Sequence, residues 1–377
     1  IKNMLKIQIN RQLFISYLSI ASKSSGSNLD LPVLNSILIS ADSQKSSLRL
    51  TSTNLSQAVI STISAKVISP GNIAIPSKVV FEFLSSLTDE TVIIEELKNL
   101  KLKISAKNHN STIYLTDVSD YPELPSISSE HTLEVQSDNL RKAFLETSFA
   151  ASKDDTRPVL SGVLFYSNQE NSLTIVSTDS YRLAEKTIQV ESKLEFNAKA
   201  IIPTQTIQDV LKIIGLQGST NTMIHVEDDQ ISFVIGNVTM VSRLISGDYP
   251  EYRNLIPSSS DLNFFVDREE LLQTVKIAAI FAKESAGTIS LEVDKEDQLL
   301  KVNSVANQMG ENHSQIAIST DSDGSININS RYLVDALNSF DEDILDIRFS
   351  KGLAPFIVSP HKSGEEGHLH LIMPINS

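Results

Sequence analysis

The sequence predicts an α+β protein of three similar domains, each built from two β-α-β-β-like halves. A set of short motifs recurs along the chain at a spacing close to one third of its 377 residues. Within each third, stretches of alternating apolar residues twice lead into stretches with helical spacing. A chain of this length also exceeds what one hydrophobic core usually supports, which favours several domains.

The clearest repeated motif is Asp-Tyr-Pro-Glu, which begins at Asp120 and again at Asp248, 128 positions later. Proline fixes φ, donates no backbone hydrogen bond and favours extended geometry in the preceding residue, so each copy predicts the end of a strand. The residues after each copy are rich in proline and serine, a composition typical of linkers. We therefore predict three domains at 1–125, 130–257 and 262–377.

Other landmarks recur in the same order and at nearly the same spacing. The repeated pairs are Pro32 and Pro158, Ser52 and Ser177, and Ile75 and Ile202, at offsets of 126, 125 and 127. A weaker third copy places Ser304 127 positions after Ser177. Three copies of one unit therefore account for the whole chain.

Each copy predicts two helices. The first follows an opening strand after a capping residue, which is Asn10, Ser137 or Asp267, and the second begins midway through the copy. The predicted helical segments are 10–25, 77–87, 137–157, 203–214, 267–285 and 330–340. Because strands with a period of two follow each helix, every copy divides into two halves of one helix and several strands.

The charge of the chain is unevenly distributed. A net charge of −14 argues against a simple basic nucleic-acid-binding protein, because phosphate contacts need lysine and arginine. The six predicted helices nevertheless hold 12 of the 32 basic and 11 of the 46 acidic residues, a net of +1, which leaves −15 on the remainder. This distribution permits helices that line up on the inside of a curved sheet and face a polyanion, with the strands facing solvent. Three separate domains are the alternative.

Composition also narrows the classes of function. The sequence contains no cysteine, which excludes disulfides, thiolate nucleophiles and cysteine-ligated metals. No run of about 18 uncharged apolar residues predicts a membrane helix, and the first residues lack the layout of a secretory signal. We expect a cytoplasmic protein that makes no contact with membranes.

Six segments, all in register, resemble one family over the full length of the chain. They are LPVLNSILI (31–39), RPVLSGVLF (157–165), STDSYRLAE (177–185), GDYPEYRNLIP (247–257), VDREELL (266–272) and LIMPINS (371–377). The family is the bacterial sliding clamp, the β subunit of DNA polymerase III. The resemblance implies the DNA clamp fold and a non-catalytic processivity factor, a head-to-tail homodimeric ring that encircles double-stranded DNA independently of its sequence.

The resemblance further implies a cleft for short linear peptides of the replicative DNA polymerase, the clamp loader and repair proteins. Carried over by motif, its walls are Leu160, Thr178, Tyr181, Arg182, Leu183, Pro250, Leu255, Pro355, Met373, Pro374 and Ile375. Aliphatic walls and a methionine suit several peptide anchors, while Thr178 and Arg182 are expected to orient the peptide. The family often has Gly-His at 180–181 and an arginine near its end, so we expect a different peptide preference here.

The resemblance also points to surfaces for DNA and for ring closure. The best DNA-facing candidates are Lys23, Lys78, Lys153 and Arg157. We expect weaker DNA contact than usual, because 24–32 lacks an arginine that the family often carries and 152–158 contains two acidic residues. The family closes its ring by pairing an edge strand of the first domain with a helix of the third. The matching interface residues are Ile113, Leu115, Ile280 and Phe281.

Other interpretations of some of these residues remain open. Asp179, Tyr181 and Arg182 could form the acid-base cluster of a hydrolase, although Asp179 and Arg182 could equally form a simple ion pair. A repeat-built peptide-binding scaffold that never closes into a ring is the other alternative. His368 and His370 share a strand face and could bind a metal, but histidines on an exposed hairpin more often meet water. We therefore propose no metal and no cofactor.

Overall fold

The computed structural model of the chain describes residues 4–25, 31–124, 132–154, 156–169, 171–190, 199–306, 310–350, 352, 354–361 and 367–375. The chain divides into two compact units, one made of Ile1–Asp138 and Gln205–Leu244 and the other of Asn139–Thr204 and Ile245–Ser377. The middle third of the sequence thus contributes one part to each unit. Among these residues, no helix is both long enough and apolar enough to span a membrane.

Six α-helices lie within the described residues, close to the six predicted segments. They are α1 (Arg11–Ser24), α2 (Ser77–Ser86), α3 (Ser137–Thr147), α4 (Thr204–Gln217), α5 (Arg268–Phe281) and α6 (Ser330–Ser339). The predicted caps at Asn10 and Asp267 are confirmed, because their side chains accept hydrogen bonds from backbone N–H groups of the first turn at 2.9 and 2.8 Å. The predicted cap at Ser137 is wrong: Ser137 is itself helical, and its hydroxyl lies 2.7 Å from that of Thr222.

Helix α3 ends well before the predicted limit at residue 157. Its last residue is Thr147, and a 3-10 turn, Ser148–Ala150, follows. The carbonyl of Thr147 accepts a hydrogen bond from the hydroxyl of Ser177 at 2.5 Å. A side chain far along the sequence therefore satisfies an acceptor that the end of the helix leaves open.

The strands are β1 (Lys6–Asn10), β2 (Ser36–Asp42), β3 (Ser47–Thr53), β4 (Gln57–Ser64), β5 (Lys66–Ser69), β6 (Gly71–Pro76), β7 (Thr91–Leu97), β8 (Lys101–Ser105), β9 (Asn110–Tyr114), β10 (Thr132–Gln136), β11 (Gly162–Gln169), β12 (Ser172–Thr178), β13 (Arg182–Gln189), β14 (Lys199–Pro203), β15 (Asn221–Val226), β16 (Gln230–Ile235), β17 (Val238–Arg243), β18 (Leu262–Asp267), β19 (Thr288–Asp294), β20 (Leu299–Ala306), β21 (Gly310–Ala317), β22 (Gly324–Asn329), β23 (Ile344–Phe349), β24 (Phe356–Pro360) and β25 (His368–Ile372). All of their pairings are antiparallel, as short strands joined by turns allow.

Each unit contains two sheets. The first unit has a five-stranded sheet, β5-β1-β7-β8-β9, and an eight-stranded sheet, β10-β15-β16-β17-β4-β3-β2-β6. The second unit has an eight-stranded sheet, β14-β11-β12-β13-β25-β24-β23-β18, and a four-stranded sheet, β21-β20-β19-β22. Both eight-stranded sheets cross from one copy of the repeat to the next, at the pairs β17–β4 and β13–β25. These hydrogen-bonded joins explain why the compact units cut across the sequence repeat.

The core of the second unit lies between its sheets and helices α5 and α6. Strand β18 alternates buried and exposed residues, so one of its faces packs inward. Leu271 and Val275 of α5 and Leu333 and Leu337 of α6 join Phe349 of β23 in one buried cluster. The apolar residues that alternate along the strands and those at helical spacing in the helices thus pack into a single core, as the sequence pattern predicts.

Candidate functional site

A tight turn between β12 and β13 organises the predicted cleft. The Thr178 hydroxyl donates to the carbonyl of Arg182 at 2.6 Å and accepts from the backbone N–H of Ser180 at 3.1 Å. Asp179 Oδ1 accepts from the backbone N–H groups of Tyr181 and Arg182, both at 3.0 Å. Ser180 adopts a φ of 77°, and Tyr181 is 64% exposed at the tip. The polar atoms of Thr178 are therefore engaged by the turn itself.

Arg182 is an internal brace of this turn, since it is only 8% exposed. Its guanidinium pairs with Asp179 at 3.1 Å and with Asp335 of α6 at 2.5 Å. It also donates to the carbonyl of Phe149 at 3.0 Å and lies 4.5 Å from the ring centroid of Tyr332. The simple ion pair is thus the observed arrangement. Both carboxylate oxygens of Asp179 accept hydrogen bonds, one from the backbone of the turn and one from the Arg182 side chain, which does not suit a general base.

An apolar cluster forms the floor beside the turn. Leu160 and Leu183 lie inside it, 4% and 1% exposed, and Met373 packs against it. The backbone N–H of Met373 donates to the carbonyl of Tyr181 at 2.8 Å, which continues the pairing of β25 with β13 by one residue. The C-terminal residue Met373 and the turn residue Tyr181, both assigned to the cleft by the family resemblance, are therefore directly hydrogen-bonded.

The remaining wall residues lie on three neighbouring segments. Pro250 and Leu255 are exposed, the latter at 48%, and Leu255 ends the 3-10 turn Tyr252–Leu255. Pro355 is half-buried and directly precedes β24. Pro374 and Ile375 are half-buried as well, and the Ile375 N–H donates to the Asn327 carbonyl at 2.8 Å. Tyr249 and Tyr252, beside Pro250, enter the same apolar cluster as Leu160.

A cavity of about 600 Å³ opens beside the turn. Its lining includes Leu160, Tyr181, Arg182, Lys153 and Arg157. The guanidinium of Arg157 donates to the hydroxyl of Ser180 at 3.2 Å. Two residues that we predicted to face DNA therefore share a cavity with three residues of the predicted peptide cleft.

Sequence reasoning missed the contribution of α6 to this cavity. Arg331 and Tyr332 line it, and the same helix supplies Asp335. The first unit contains the equivalent contact, since Gln57, the repeat equivalent of Arg182, donates to the Thr206 hydroxyl at 2.7 Å. Thr206 lies in α4, which is the repeat equivalent of α6.

His368 and His370 are buried, 4% and 2% exposed, which corrects the prediction that they lie on an exposed hairpin. Their Nε2 atoms are 2.9 Å apart, and Nε2 of His370 lies 2.7 Å from the Ser339 hydroxyl. Within the described part of the chain, no group of three or more potential metal-ligating side chains comes together. Glu365 and Glu366, which the sequence places close to this pair, lie outside the described residues.

A buried ion pair lies beside the two histidines. Lys186 Nζ is 3.1 Å from a carboxylate oxygen of Glu146, and the two side chains are 3% and 5% exposed. Burial raises the pKa of Glu146, an effect that Lys186 opposes. Lys142 reaches the same carboxylate at 3.6 Å and pairs with Asp341 at 2.8 Å, a hydrogen bond that raises the pKa of Lys142. A buried ion pair thus connects through the more exposed Lys142 to Asp341 at the surface.

We expect folding stability to fall as the pH drops below about 6.5, because both histidines are buried in the neutral form. Burial lowers the pKa of His370 to about 3 and also lowers that of His368, and nearby Lys186 adds to both effects. Below the ordinary histidine pKa the unfolded chain binds more protons, so stability falls by up to about 1.4 kcal/mol per pH unit per histidine. The raised pKa of Glu146 acts in the opposite direction and offsets part of the loss at lower pH.

Urea unfolding at several pH values between 7.5 and 4 measures this slope, at one fixed protein concentration. The variant His370→Asn should have a shallower slope. The variant His313→Asn, at a histidine whose side chain is 62% exposed, should leave the slope unchanged. Equal slopes in all three proteins would contradict the assignment.

The predicted DNA-facing lysines on α1 and α2 are exposed. Lys23 lies in the last turn of α1, and a side-chain contact with Lys212 of α4 is the largest cause that lowers its pKa. Lys212 also pairs with Asp209 at 3.0 Å. Lys78 follows the first residue of α2. Lys23 of α1 and Lys212 of α4 are thus neighbours on the surface, a proximity that the sequence pattern did not reveal.

The predicted interface residues differ in accessibility. Ile113 is half-buried on β9, and Leu115 is only 9% exposed. Ile280 is 53% exposed near the end of α5, and Phe281 is half-buried. A shallow cavity of about 320 Å³ lies on this helix between Ile277, Ile280 and neighbouring side chains.

Comparison with known proteins places this geometry in a family. Models of the N-terminal, central and C-terminal domains of the DNA polymerase III beta subunit match residues 5–125, 134–251 and 253–376. The chain belongs to the DNA polymerase III beta subunit family. Members of this family are sliding clamps, so the chain is a processivity factor and not a catalytic subunit.

Relatives match the chain over its whole length. The beta sliding clamp of Staphylococcus aureus (strain Mu50 / ATCC 700699) is 27% identical, with 99% of this chain and 100% of that protein covered. The beta chain of DNA polymerase III from Streptococcus pneumoniae TIGR4 is 25% identical with a TM-score of 0.91, and the sliding clamp from Bacillus subtilis is 23% identical with a TM-score of 0.92. Each covers 99% of this chain and 100% of its own. The three-domain α+β clamp fold predicted from the sequence is thus confirmed.

Proposed function

We propose that two copies of this chain form a head-to-tail ring that encircles double-stranded DNA in the cytoplasm. By this means the ring tethers the replicative DNA polymerase to its template without reading sequence. The clamp loader and repair proteins reach the same ring through short peptides that bind the cleft of the second unit. The order of the strands carries this proposal.

The fourth strands of the three copies, β4, β13 and β21, correspond to one another, and so do the last strands, β9, β17 and β25. The last strand of one copy pairs with the fourth strand of the copy before it, in β17–β4 and in β25–β13. Within the described chain, β9 and β21 remain at sheet edges. By the same rule, β9 of one chain pairs with β21 of a second chain. Two such contacts, together with the two strand pairings between copies within each chain, close a ring of two chains.

Helix α5 supports the same interface. It packs against β21, so the exposed side chains of Ile277 and Ile280 flank the strand that awaits a partner. Exposed aliphatic residues beside an open sheet edge are typical of an interaction surface. Among our predicted interface residues, Ile280 is thus better placed for contact than Leu115, which its own chain already covers.

The charge of the helices is compatible with DNA. Helices α1 to α6 together carry nine lysines and arginines against seven aspartates and glutamates, a net of +2, whereas the whole chain carries −14. Helices that present this surplus to phosphates would bind DNA weakly and without sequence preference. Tethering would then depend on the closed ring rather than on affinity.

We expect the variant Ile280→Asp to weaken the dimer at least about tenfold, because a carboxylate would be desolvated in the apolar contact. Sedimentation over a dilution series measures the effect: a dimer has twice the chain mass of 41.5 kDa, about 83 kDa. The matched control is Leu145→Asp, a change at a residue of similar exposure on α3, which should remain dimeric. A wild-type protein that sediments as a monomer at all concentrations would overturn the ring and favour an open scaffold.

A further inference from the structure

The turn that organises the cleft of the second unit occurs a second time, in the first unit. The Thr53 hydroxyl donates to the Gln57 carbonyl at 2.7 Å and accepts from the Leu55 N–H at 3.0 Å. Asn54 Oδ1 accepts from the N–H groups of Ser56 and Gln57 at 3.0 and 2.8 Å. Leu55 has a φ of 73°, close to the 77° of its counterpart in the other turn. The two turns therefore share these four hydrogen bonds, residue by residue.

The strand after this turn repeats the neighbouring contacts as well. The Arg243 N–H donates to the Ser56 carbonyl at 2.9 Å, just as Met373 donates to Tyr181 at 2.8 Å. Ala58 pairs with Val241 where Leu183 pairs with Leu371. By register, Arg243 thus occupies the position of Met373, and Ser56 occupies that of Tyr181.

A cavity of about 500 Å³ opens at this turn, which we call the first-unit groove. Its apolar lining includes Leu55, which is 49% exposed, the half-buried Pro122 and Leu124, and Val241 at the base. Pro122 belongs to the first Asp-Tyr-Pro-Glu motif, as Pro250 belongs to the second. The groove is therefore the repeat equivalent of the family-derived peptide cleft. On strand β4 it has Ala58 at the position where β13 has the larger Leu183.

The first-unit groove carries a small net negative charge. The first-unit groove is lined by Glu123, Asp229 and Arg243, a net of −1, and the exposed Asp228 adjoins it. Because the groove is open to solvent, its carboxylates would favour a peptide that carries lysine or arginine.

We propose that the first-unit groove is a second docking site, which takes a short peptide with an aliphatic anchor flanked by lysine or arginine. The anchor lies against Leu55, Pro122 and Val241, and the cations face Glu123 and Asp229. This inference rests on the proposed function, since it assumes that the equivalent cleft of the second unit binds peptides. The ring would then carry two classes of partner at once without competition between them.

Fluorescence anisotropy with the full-length protein tests the proposal. The probes are a fluorescein-labelled octapeptide with two leucines flanked by lysines, the same peptide with glutamates, and a polymerase-tail peptide. We expect the lysine peptide to bind more tightly than the glutamate peptide. Asp229→Lys and, independently, Glu123→Lys should weaken its binding about tenfold or more, and Tyr181→Ala should not affect it. The control Asp297→Lys, at a carboxylate outside the groove that is 61% exposed, should also have no effect.

Three results would overturn the proposal. They are no binding of the lysine peptide, equal weakening by Asp297→Lys and Asp229→Lys, and weakening by Tyr181→Ala instead of Asp229→Lys. The proposed function fails separately, if the polymerase-tail peptide binds the Tyr181→Ala variant as tightly as the wild type.

Discussion

Removal of residues 373–377 is expected to weaken binding of a polymerase-tail peptide at least about 100-fold while the dimer persists. The deletion takes away Met373, which packs on the apolar floor of the cleft, and its hydrogen bond to the Tyr181 carbonyl. The strand before it stays paired, because Ile372 and Leu371 remain in the ladder with β13. Fluorescence anisotropy with a labelled polymerase-tail peptide measures the loss.

A shorter deletion, of residues 376 and 377 only, is the matched control and should bind the peptide as the full chain does. Sedimentation of both deletions shows whether the dimer is intact. If the chain that lacks all five residues binds the peptide with unchanged affinity, the cleft is wrongly assigned.

The variant Lys186→Met should destabilise the protein by about 3–5 kcal/mol at pH 7.5, because it leaves the Glu146 carboxylate buried with a weaker partner. Lys186 and Glu146 are 3.1 Å apart and almost fully buried, and the remaining cation, Lys142, is more exposed and 3.6 Å away. Urea denaturation at constant protein concentration measures the loss. The loss should shrink as the pH falls towards the raised pKa of Glu146, since the carboxyl then becomes neutral.

Two further variants separate the buried charge from simple loss of a lysine. The double variant Lys186→Met with Glu146→Leu should recover much of the stability, because no unpaired charge remains. Lys301→Met, which breaks a partly exposed surface pair with Asp294, should have little measurable effect. A single variant Lys186→Met as stable as the wild type would show that the pair contributes nothing to folding.

Local signals in the sequence were enough to predict the repeat and the helix starts. Asn10 and Asp267 were recognised as caps because a capping side chain acts only on the next few residues. The end of α3 was not recognised. Its last carbonyl is satisfied by Ser177, thirty positions away, and no local pattern reports such a contact.

Three of the residues that the family resemblance assigns to the cleft come together in the structure, but the surroundings of Arg182 were not predictable from the sequence. Motifs common to the family identified Leu160, Leu183 and Met373, which the structure brings into one cluster. Arg182 was expected to orient a peptide, yet it is buried against Asp335, which lies 153 positions away. His368 and His370 were expected to be exposed on their strand. This expectation was wrong because alternation within a strand does not reveal that helix α6 covers that face. Long-range partners decide which polar residues of a strand are buried.

Retention on closed circular and on linearised duplex DNA tests the ring most directly. The protein is first loaded by a clamp loader, and the salt concentration is then raised, which weakens phosphate contacts but cannot remove a closed ring from a circle. We predict that the protein stays on circular DNA and is lost from the ends of linear DNA. Equal loss from both would contradict topological tethering and return the chain to an open peptide-binding scaffold.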